Sequence, residues 1–322
     1  MAPLDSATPS QRFILAAGTG FLGRDLARAL IARHPECDVV VLTRLPKPQP
    51  TTPGSREVRW DGRTAQASWA REVDGAAAIF NLAGRTVDCR KTEENMRDII
   101  ESRVQSVQAL HAAVAQANTP PTVWVQTGTA HIFGDSDTAT FTDDSLPAPP
   151  ASGMAPKVGA AWEHALFSVP TPATRKVNLR ISFVLGPGGG ALAKLATLAR
   201  LGLGGTVGSG RQPMSWISLT DMTRLFITAA EDPTYEGTYN ATSPQPELNR
   251  DFMRELRKAV HRPWSPPAPA WGVRLGCLLM NTDPELALYG RRVLPTKLLA
   301  KGFAFRFPSL RETLDYAIAN RA

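Results

Sequence analysis

A short apolar run, Phe13-Ile14-Leu15-Ala16-Ala17, enters a glycine turn, Gly18-Thr19-Gly20-Phe21-Leu22-Gly23, and the turn opens directly into a helical pattern. Leu26, Ala29, Leu30 and Arg33 continue that pattern at helical spacing. Gly18, Gly20 and Gly23 stand in the dinucleotide spacing G-x-G-x-x-G. In such a unit the first glycine allows the turn, and the second lets a pyrophosphate approach the main chain. The third lets the helix sit close to the strand. The helix start offers free N–H groups and a partial positive charge to phosphates. A glycine triple by itself also suits a plain turn. The strand before it and the helix behind it favour a binding site.

The chain has 322 residues, enough for one large α/β unit or two smaller ones. Hydrophobic residues make up 43% and charged residues 20%, a globular balance. The longest apolar runs are too short to span a bilayer, which takes about 20 residues, so no membrane partner is expected. Residues 1–11 lack the basic and apolar regions of a signal peptide and read as a loose extension. Cys37, Cys89 and Cys277 are far apart and form no CxxC pair, which suits a reducing cytoplasm. The formal charge of +7 raises the question of nucleic acid. The basic residues are scattered, however, and the densest group, Arg291-Arg292 with Lys297 and Lys301, reads as a solvated helical face. No specific nucleic-acid partner is expected; an anionic cofactor or nucleotide-linked substrate would exploit the same excess.

Farther along, Asp38-Val39-Val40-Val41-Leu42-Thr43-Arg44 reads as a second buried strand. Its end is where NAD-binding chains commonly carry an acidic residue for the ribose. Here stand Thr43 and Arg44, with Lys47 close behind. Arginine can pair with a 2′-phosphate, which favours NADP over NAD; the alternative is an ordinary surface arginine. Ala76-Ala77-Ala78-Ile79-Phe80-Asn81-Leu82-Ala83-Gly84 repeats the strand-then-small-residues arrangement, so Leu82, Ala83 and Gly84 would let a cofactor lie against bare backbone; a tight strand exit is the alternative. A long helix is expected from about Thr92 to Gln116, with Met96, Ile99, Ile100, Val104, Val107, Leu110 and Val114 as its apolar stripe. Strands at 123–127 and 176–181 follow. The alternation predicts an α/β fold, a Rossmann-type doubly wound parallel sheet with a smaller C-terminal α+β substrate domain.

From Gly186 the texture changes. Two glycine-rich loops, 186–190 and 202–210, bracket a helix at Leu192–Leu201 and suggest a crossover between domains or a lid. A helix capped by Thr220 returns to the first domain. The expected division is residues 12–185, rejoined by 214–232, as an NADP-binding domain. Residues 186–213 and 233–322 would form the substrate domain.

Taken together, these marks resemble an extended short-chain dehydrogenase/reductase. More narrowly, the chain is similar to epimerase-family proteins of the nucleoside-diphosphate-sugar epimerase or cell-division-inhibitor-like group. The matching pieces include Gly18–Gly23, Leu42-Thr43-Arg44, Asn81-Leu82-Ala83-Gly84, Glu101-Ser102-Arg103-Val104, Val184–Gly190, Leu203-Gly204-Gly205, Trp216-Ile217 and Tyr239-Asn240. The resemblance implies bound NADP(H), with contacts at Thr19, Phe21 and Leu22, at Thr43 and Arg44, and at Leu82 and Ala83. Asp98, Arg103 and Val184 complete the implied set. It also implies a small-molecule substrate and a homodimer whose interface nothing in the sequence marks. One departure is Ala17, where the family usually has glycine; it costs little if the turn pivots on Gly18.

The larger departure concerns chemistry. Short-chain dehydrogenases use a Tyr-x-x-x-Lys pair, in which lysine lowers the tyrosine pKa for proton exchange with the substrate oxygen. None of Tyr235, Tyr239, Tyr289 and Tyr316 is followed by lysine at the fourth position. Aligning Thr129 with the superfamily's Ser/Thr places Met154 and Val158 where tyrosine and lysine would fall. The remaining candidates are Thr129, to hydrogen-bond a substrate carbonyl with help from Thr127, and His131. The histidine is expected to titrate near neutral pH and to share a side of an extended segment with Thr129. A packed or solvated histidine is the competing reading. No metal-ligand spacing and no nucleophile elbow is found. Two functions remain open: an NADP-dependent oxidoreductase or epimerase, and a non-catalytic NADPH-binding structural or sensor protein.

Overall fold

The computed structural model describes residues 11–46 and 50–320. The expected N-terminal extension, apart from Gln11, lies outside the described residues, as does Lys47. The chain begins β1 (Arg12–Ala16), α1 (Phe21–Arg33), β2 (Asp38–Thr43), β3 (Ser55–Arg59), α2 (Ala67–Ala70), β4 (Ala78–Asn81) and α3 (Glu93–Gln116). Next come β5 (Val123–Thr129), β6 (Thr140–Phe141), α4 (Met154–Phe167), β7 (Arg175–Ile181), β8 (Phe183–Leu185) and α5 (Gly190–Arg200). β9 (Pro213–Met214), β10 (Trp216–Ser218), α6 (Leu219–Glu231), β11 (Gly237–Ala241) and β12 (Glu247–Leu248) follow. The last elements are α7 (Asn249–Ala259), α8 (Ala270–Leu279), α9 (Glu285–Leu288), β13 (Arg292–Val293), α10 (Thr296–Ala300) and α11 (Leu310–Ala319).

Seven strands form one sheet in the order β11-β7-β5-β4-β1-β2-β3, and every neighbouring pair is parallel. Side chains alternate between its two faces, so the apolar runs feed two cores. Phe13, Leu15, Val39, Val41 and Phe80 pack with Leu26 and Leu30 of α1 and with Met222, Leu225 and Phe226 of α6. Ile14, Ala16, Val40, Leu42, Ile79 and Trp124 pack with Val107, Leu110 and Val114 of α3 and with Trp162 and Leu166 of α4. The result is the expected doubly wound sheet. The chain winds outward from β1 through β2 and β3, then restarts on the other side with β4. The crevice above the carboxyl ends of β1 and β4 is therefore the topological switch point, where such folds bind ligands.

The rest of the chain packs a separate core from α5, α7 and α11, in which Leu192, Ala196, Phe252, Leu256 and Leu314 are buried around Trp216. Two buried carboxylates tie it to the sheet. Asp221 accepts from the amides of Arg306 (2.7 Å) and Phe307 (2.9 Å). Asp143 accepts from the Asn240 amide on β11 (2.6 Å), from Thr296 Oγ1 (2.8 Å) and from the Lys297 amide (2.9 Å).

Several expectations change. β11 pairs with β7, so 237–241 belongs to the central sheet and not to the C-terminal region. The cap of α6 is Ser218, whose hydroxyl accepts from the Asp221 amide; Thr220 already lies inside the helix. The turn after β1 pivots on Ala17, at φ 60°, and Gly18 has no positive φ. A left-handed alanine carries a strain that glycine would not. The basic group at 291–301 is not one solvated helical face. Arg291 is buried, and Arg292–Val293 pairs with β6, leaving only Thr296–Ala300 helical.

Candidate functional site

The glycine turn sits at the switch point. A Cβ on Gly23 would lie 2.3 Å from the Gly18 carbonyl oxygen, so glycine there lets α1 press on the turn. A Cβ on Gly18 would meet Leu15 Cβ at 2.9 Å. Gly20 is different: its nearest atom would be Ala17 O at 4.0 Å, leaving the backbone open on that side. Gly20 is the N-cap of α1, with no side-chain cap and no acidic residue in the first turn. The first amides of a helix lack intrahelical partners, so this end is a cradle for an anion.

The other expected contacts fall around this cradle unevenly. Thr43 is buried at the end of β2, and its hydroxyl accepts from the Leu45 amide (3.3 Å). Arg44 follows it, exposed and without an ion pair among the described residues. Leu82 donates its amide to Ala16 O (3.0 Å), and Ala83 donates to Asn81 Oδ1 (3.1 Å), which lays the exit of β4 beside that of β1. Asp98 and Arg103 are engaged in supporting that exit. Asp98 pairs with Arg85. Arg103 donates to the Arg85 and Ile99 carbonyls (both 3.0 Å), and its guanidinium lies 4.7 Å from the Trp162 ring. Burial holds Arg103 down to about 10. Val184 lies on β8, and its carbonyl would be 3.2 Å from a Cβ on Gly190. Phe21 joins the two regions, because a Cβ on Gly189 would sit 2.4 Å from its ring. The glycine run at 186–190 thus lies directly on the first residue of α1, a contact that glycine count alone did not reveal.

Thr129 ends β5, but the next residues form a 3-10 turn, Ala130–Phe133, rather than an extended segment. Thr129 Oγ1 caps that turn by accepting from the His131 amide (3.2 Å). The two residues are therefore coupled through a cap and not by strand alternation. Thr127 is engaged structurally, donating to Asn81 O (3.0 Å). Met154 and Val158 pack with Ile99 in an apolar cluster, while Lys157 is exposed. Glu163 is half of a buried ion pair with Arg180.

His131 does not titrate near neutrality. Burial, and then the charge of Arg291, hold its imidazole well below the usual histidine range. Burial and then Lys176 likewise lower His111. Both groups are neutral in the folded chain at pH 7. On unfolding each returns toward about 6.5, so below that pH the unfolded chain binds more protons. Stability is therefore complete above about pH 6.5 and falls on acidification, by up to about 1.4 kcal/mol per pH unit for each histidine. Urea unfolding at about pH 7.5 and about pH 5.5 should show this loss, and His131→Phe should reduce it. An identical loss in the variant would remove His131 from the account.

Sequence reasoning missed the residues facing His131. A narrow recess is lined by His131, Ser182, Phe183, Tyr289 and Arg291, from the ends of β5 and β7 and the segment before β13. The His131 and Phe183 rings meet edge to face at 5.5 Å. Two arginines in a row, read as a surface feature, gave no sign that one points inward. Among the described residues no cluster of His, Cys, Asp or Glu could hold a metal ion, and no helix is long and apolar enough to cross a membrane.

Comparison with known proteins places this geometry. The NAD dependent epimerase/dehydratase family matches residues 14–241, and a domain of unknown function, DUF1731, matches residues 268–317. Epimerase family protein SDR39U1 of Bos taurus is 33% identical over 313 residues, covering 96% of this chain and 100% of the relative. The chloroplastic homolog from Arabidopsis thaliana is 28% identical over 319 residues, covering 98% of this chain and 89% of the relative. The crystal structure of human SDR39U1 (isoform 2) with NADPH superposes with a TM-score of 0.85 at 29% identity, covering 96% of this chain and 100% of that one. The nucleoside-diphosphate sugar epimerase of Corynebacterium glutamicum shares the fold, with a TM-score of 0.74 at 24% identity over 97% of this chain and 59% of that one.

Proposed function

The chain belongs to the NAD dependent epimerase/dehydratase family, and we propose that it binds NADP(H) at the glycine turn and acts as an oxidoreductase or epimerase on a small molecule, free or nucleotide-linked. The observation that carries this reading is the open backbone of Gly20 at an uncapped helix start, with Arg44, exposed and without an ion pair among the described residues, at the neighbouring strand end. The NADPH in the human SDR39U1 crystal structure supports the same cofactor. The residues present fit it. Gly18, Thr19, Gly20, Phe21, Leu22 and Gly23 would hold the pyrophosphate, and Thr43 and Arg44 the 2′-phosphate end. Leu82 and Ala83 would lie along it, with Asp98 and Arg103 supporting their loop and Val184 closing the far side. When bound, the cofactor supplies the hydride donor or acceptor. Residues 12–185, 214–232 and β11 form the proposed cofactor domain, and the remainder carries the substrate.

The chain's own chemistry then rests on few groups. Thr129 Oγ1 accepts one bond from the His131 amide and keeps its proton for a substrate oxygen. His131, neutral at pH 7, would accept or relay a proton and would not act as a charged acid. Calorimetry with NADPH tests the binding half: Arg44→Glu should weaken affinity by about tenfold or more, as expected for losing a charged hydrogen-bond partner. Turnover tests the other half. Thr129→Val should abolish NADPH consumption with any active carbonyl substrate while leaving NADPH affinity unchanged. A non-catalytic NADPH-binding sensor or structural protein is the second reading, favoured by the apolar packing of Met154 and Val158. Tight NADPH binding without turnover across a broad carbonyl panel would select it.

A further inference from the structure

We propose that the recess between His131 and Arg291 is an anion subsite that receives the carboxylate or phosphate head of a small organic substrate.

Arg291 is 7% exposed, and its surroundings hold the guanidinium without neutralising it. Its amide donates to Pro213 O (2.8 Å), and its carbonyl accepts from Ser215 Oγ (2.9 Å), which fixes the backbone. Nε donates to Gly134 O (2.6 Å), which orients the fork. No hydrogen bond or ion pair among the described residues engages Nη1 or Nη2. The carboxylates whose charges it feels, Asp135 and Glu285, serve others. Asp135 accepts from the Gly290 amide, and Glu285 pairs with Lys91. Arg180, buried to the same degree, is by contrast paired with Glu163. Desolvating a guanidinium without a counter-charge is costly, and an anionic ligand removes that cost.

Two further groups line the same recess without hydrogen-bond partners among the described residues. Ser182 Oγ is buried with no hydrogen-bond partner. Among the described residues no hydrogen bond engages the His131 ring, and it carries no charge to oppose Arg291. A planar fork and a hydroxyl suit a group with two or three oxygens. The recess is narrow, with about 10 Å³ open to the centre of a water-sized sphere, against the roughly 300–1,000 Å³ of pockets that enclose drug-sized ligands. It admits the terminal oxygens of a small head group and no whole nucleotide. Thr129 caps the turn that carries His131, its hydroxyl accepting from the His131 amide. The substrate role of the subsite rests on the catalytic reading above; the anion site itself does not.

Pyruvate, its methyl ester and inorganic phosphate, titrated calorimetrically into the full chain with and without NADPH, test the proposal. Pyruvate or phosphate should bind, and the tighter of the two names the head group; the uncharged ester should not. Arg291→Gln should weaken the anion by about tenfold to a hundredfold, the range for a lost charge-assisted hydrogen bond. Ser182→Ala should weaken it less, and Arg291→Lys should retain part of it, with NADPH affinity unchanged in all three. Anion binding equal in wild type and Arg291→Gln, binding of the ester as tightly as pyruvate, or no anion binding by the wild type would overturn the subsite. Loss of NADPH binding with anion binding intact would instead remove only the cofactor reading.

Discussion

Gly23→Ala is expected to abolish NADPH binding and to destabilise the chain, whereas Gly20→Ala should abolish binding and leave the fold nearly intact. The contrast follows from what each methyl would meet. At Gly23 it falls 2.3–2.5 Å from the backbone of Gly18, which cannot rotate away. α1 must then shift off the turn, and overpacking of this kind costs about 1–3 kcal/mol. The same shift displaces the amides at the helix start, so affinity should drop by about a hundredfold or more, at 1.4 kcal/mol per tenfold. At Gly20 the methyl meets nothing within the chain closer than 4.0 Å and enters the space above the turn. Stability should change by less than about 1 kcal/mol, the modest cost of replacing a glycine N-cap. Urea unfolding and NADPH calorimetry on both variants separate the two effects. Equal NADPH affinity in Gly20→Ala and wild type would place the cofactor elsewhere.

The second large effect is expected at Glu163. Its Oε1 accepts from Arg180 Nε (2.7 Å) and Asn178 Nδ2 (2.9 Å), and Oε2 accepts from Arg180 Nη2 (2.9 Å). The side chains of Arg180 and Glu163 are 7% and 15% exposed, so water cannot replace a lost partner. Removing the carboxylate strands Arg180 against the Phe133 ring and unpins α4 from β7. Glu163→Ala should therefore cost about 3–5 kcal/mol. The double replacement Glu163→Leu with Arg180→Met should recover much of the loss, because the desolvation cost of both charges goes with them. Denaturant midpoints for the single and double variants measure this. A single-variant loss below about 1 kcal/mol would mean that the pair behaves as a solvated one.

The sequence alone determined the sheet and the cradle. Near-continuous apolar runs in β1, β2 and β4 dictate strands buried on both faces, and the glycine spacing dictates a turn that a helix can approach. Both are local, set by residues within a few positions of each other, so the turn at Gly18, Gly20 and Gly23 and the strand ends before Arg44 and before Leu82 and Ala83 were legible. Locality also explains the errors. The spacing could not say that Ala17 would take the left-handed conformation, or that the segment after Thr129 would tighten into a capped turn.

What only the tertiary structure decided lies between distant segments. β11 joins a sheet begun some 220 residues earlier, and the 186–190 loop closes on Phe21. Arg291 turns inward to meet His131 and Ser182, from segments separated by more than a hundred residues. Burial of a charge is a property of what surrounds it, and a linear pattern of charges carries no record of those surroundings. The glycine cradle is written in one stretch of chain, while the groups lining the recess exist as a set only once the fold brings them together.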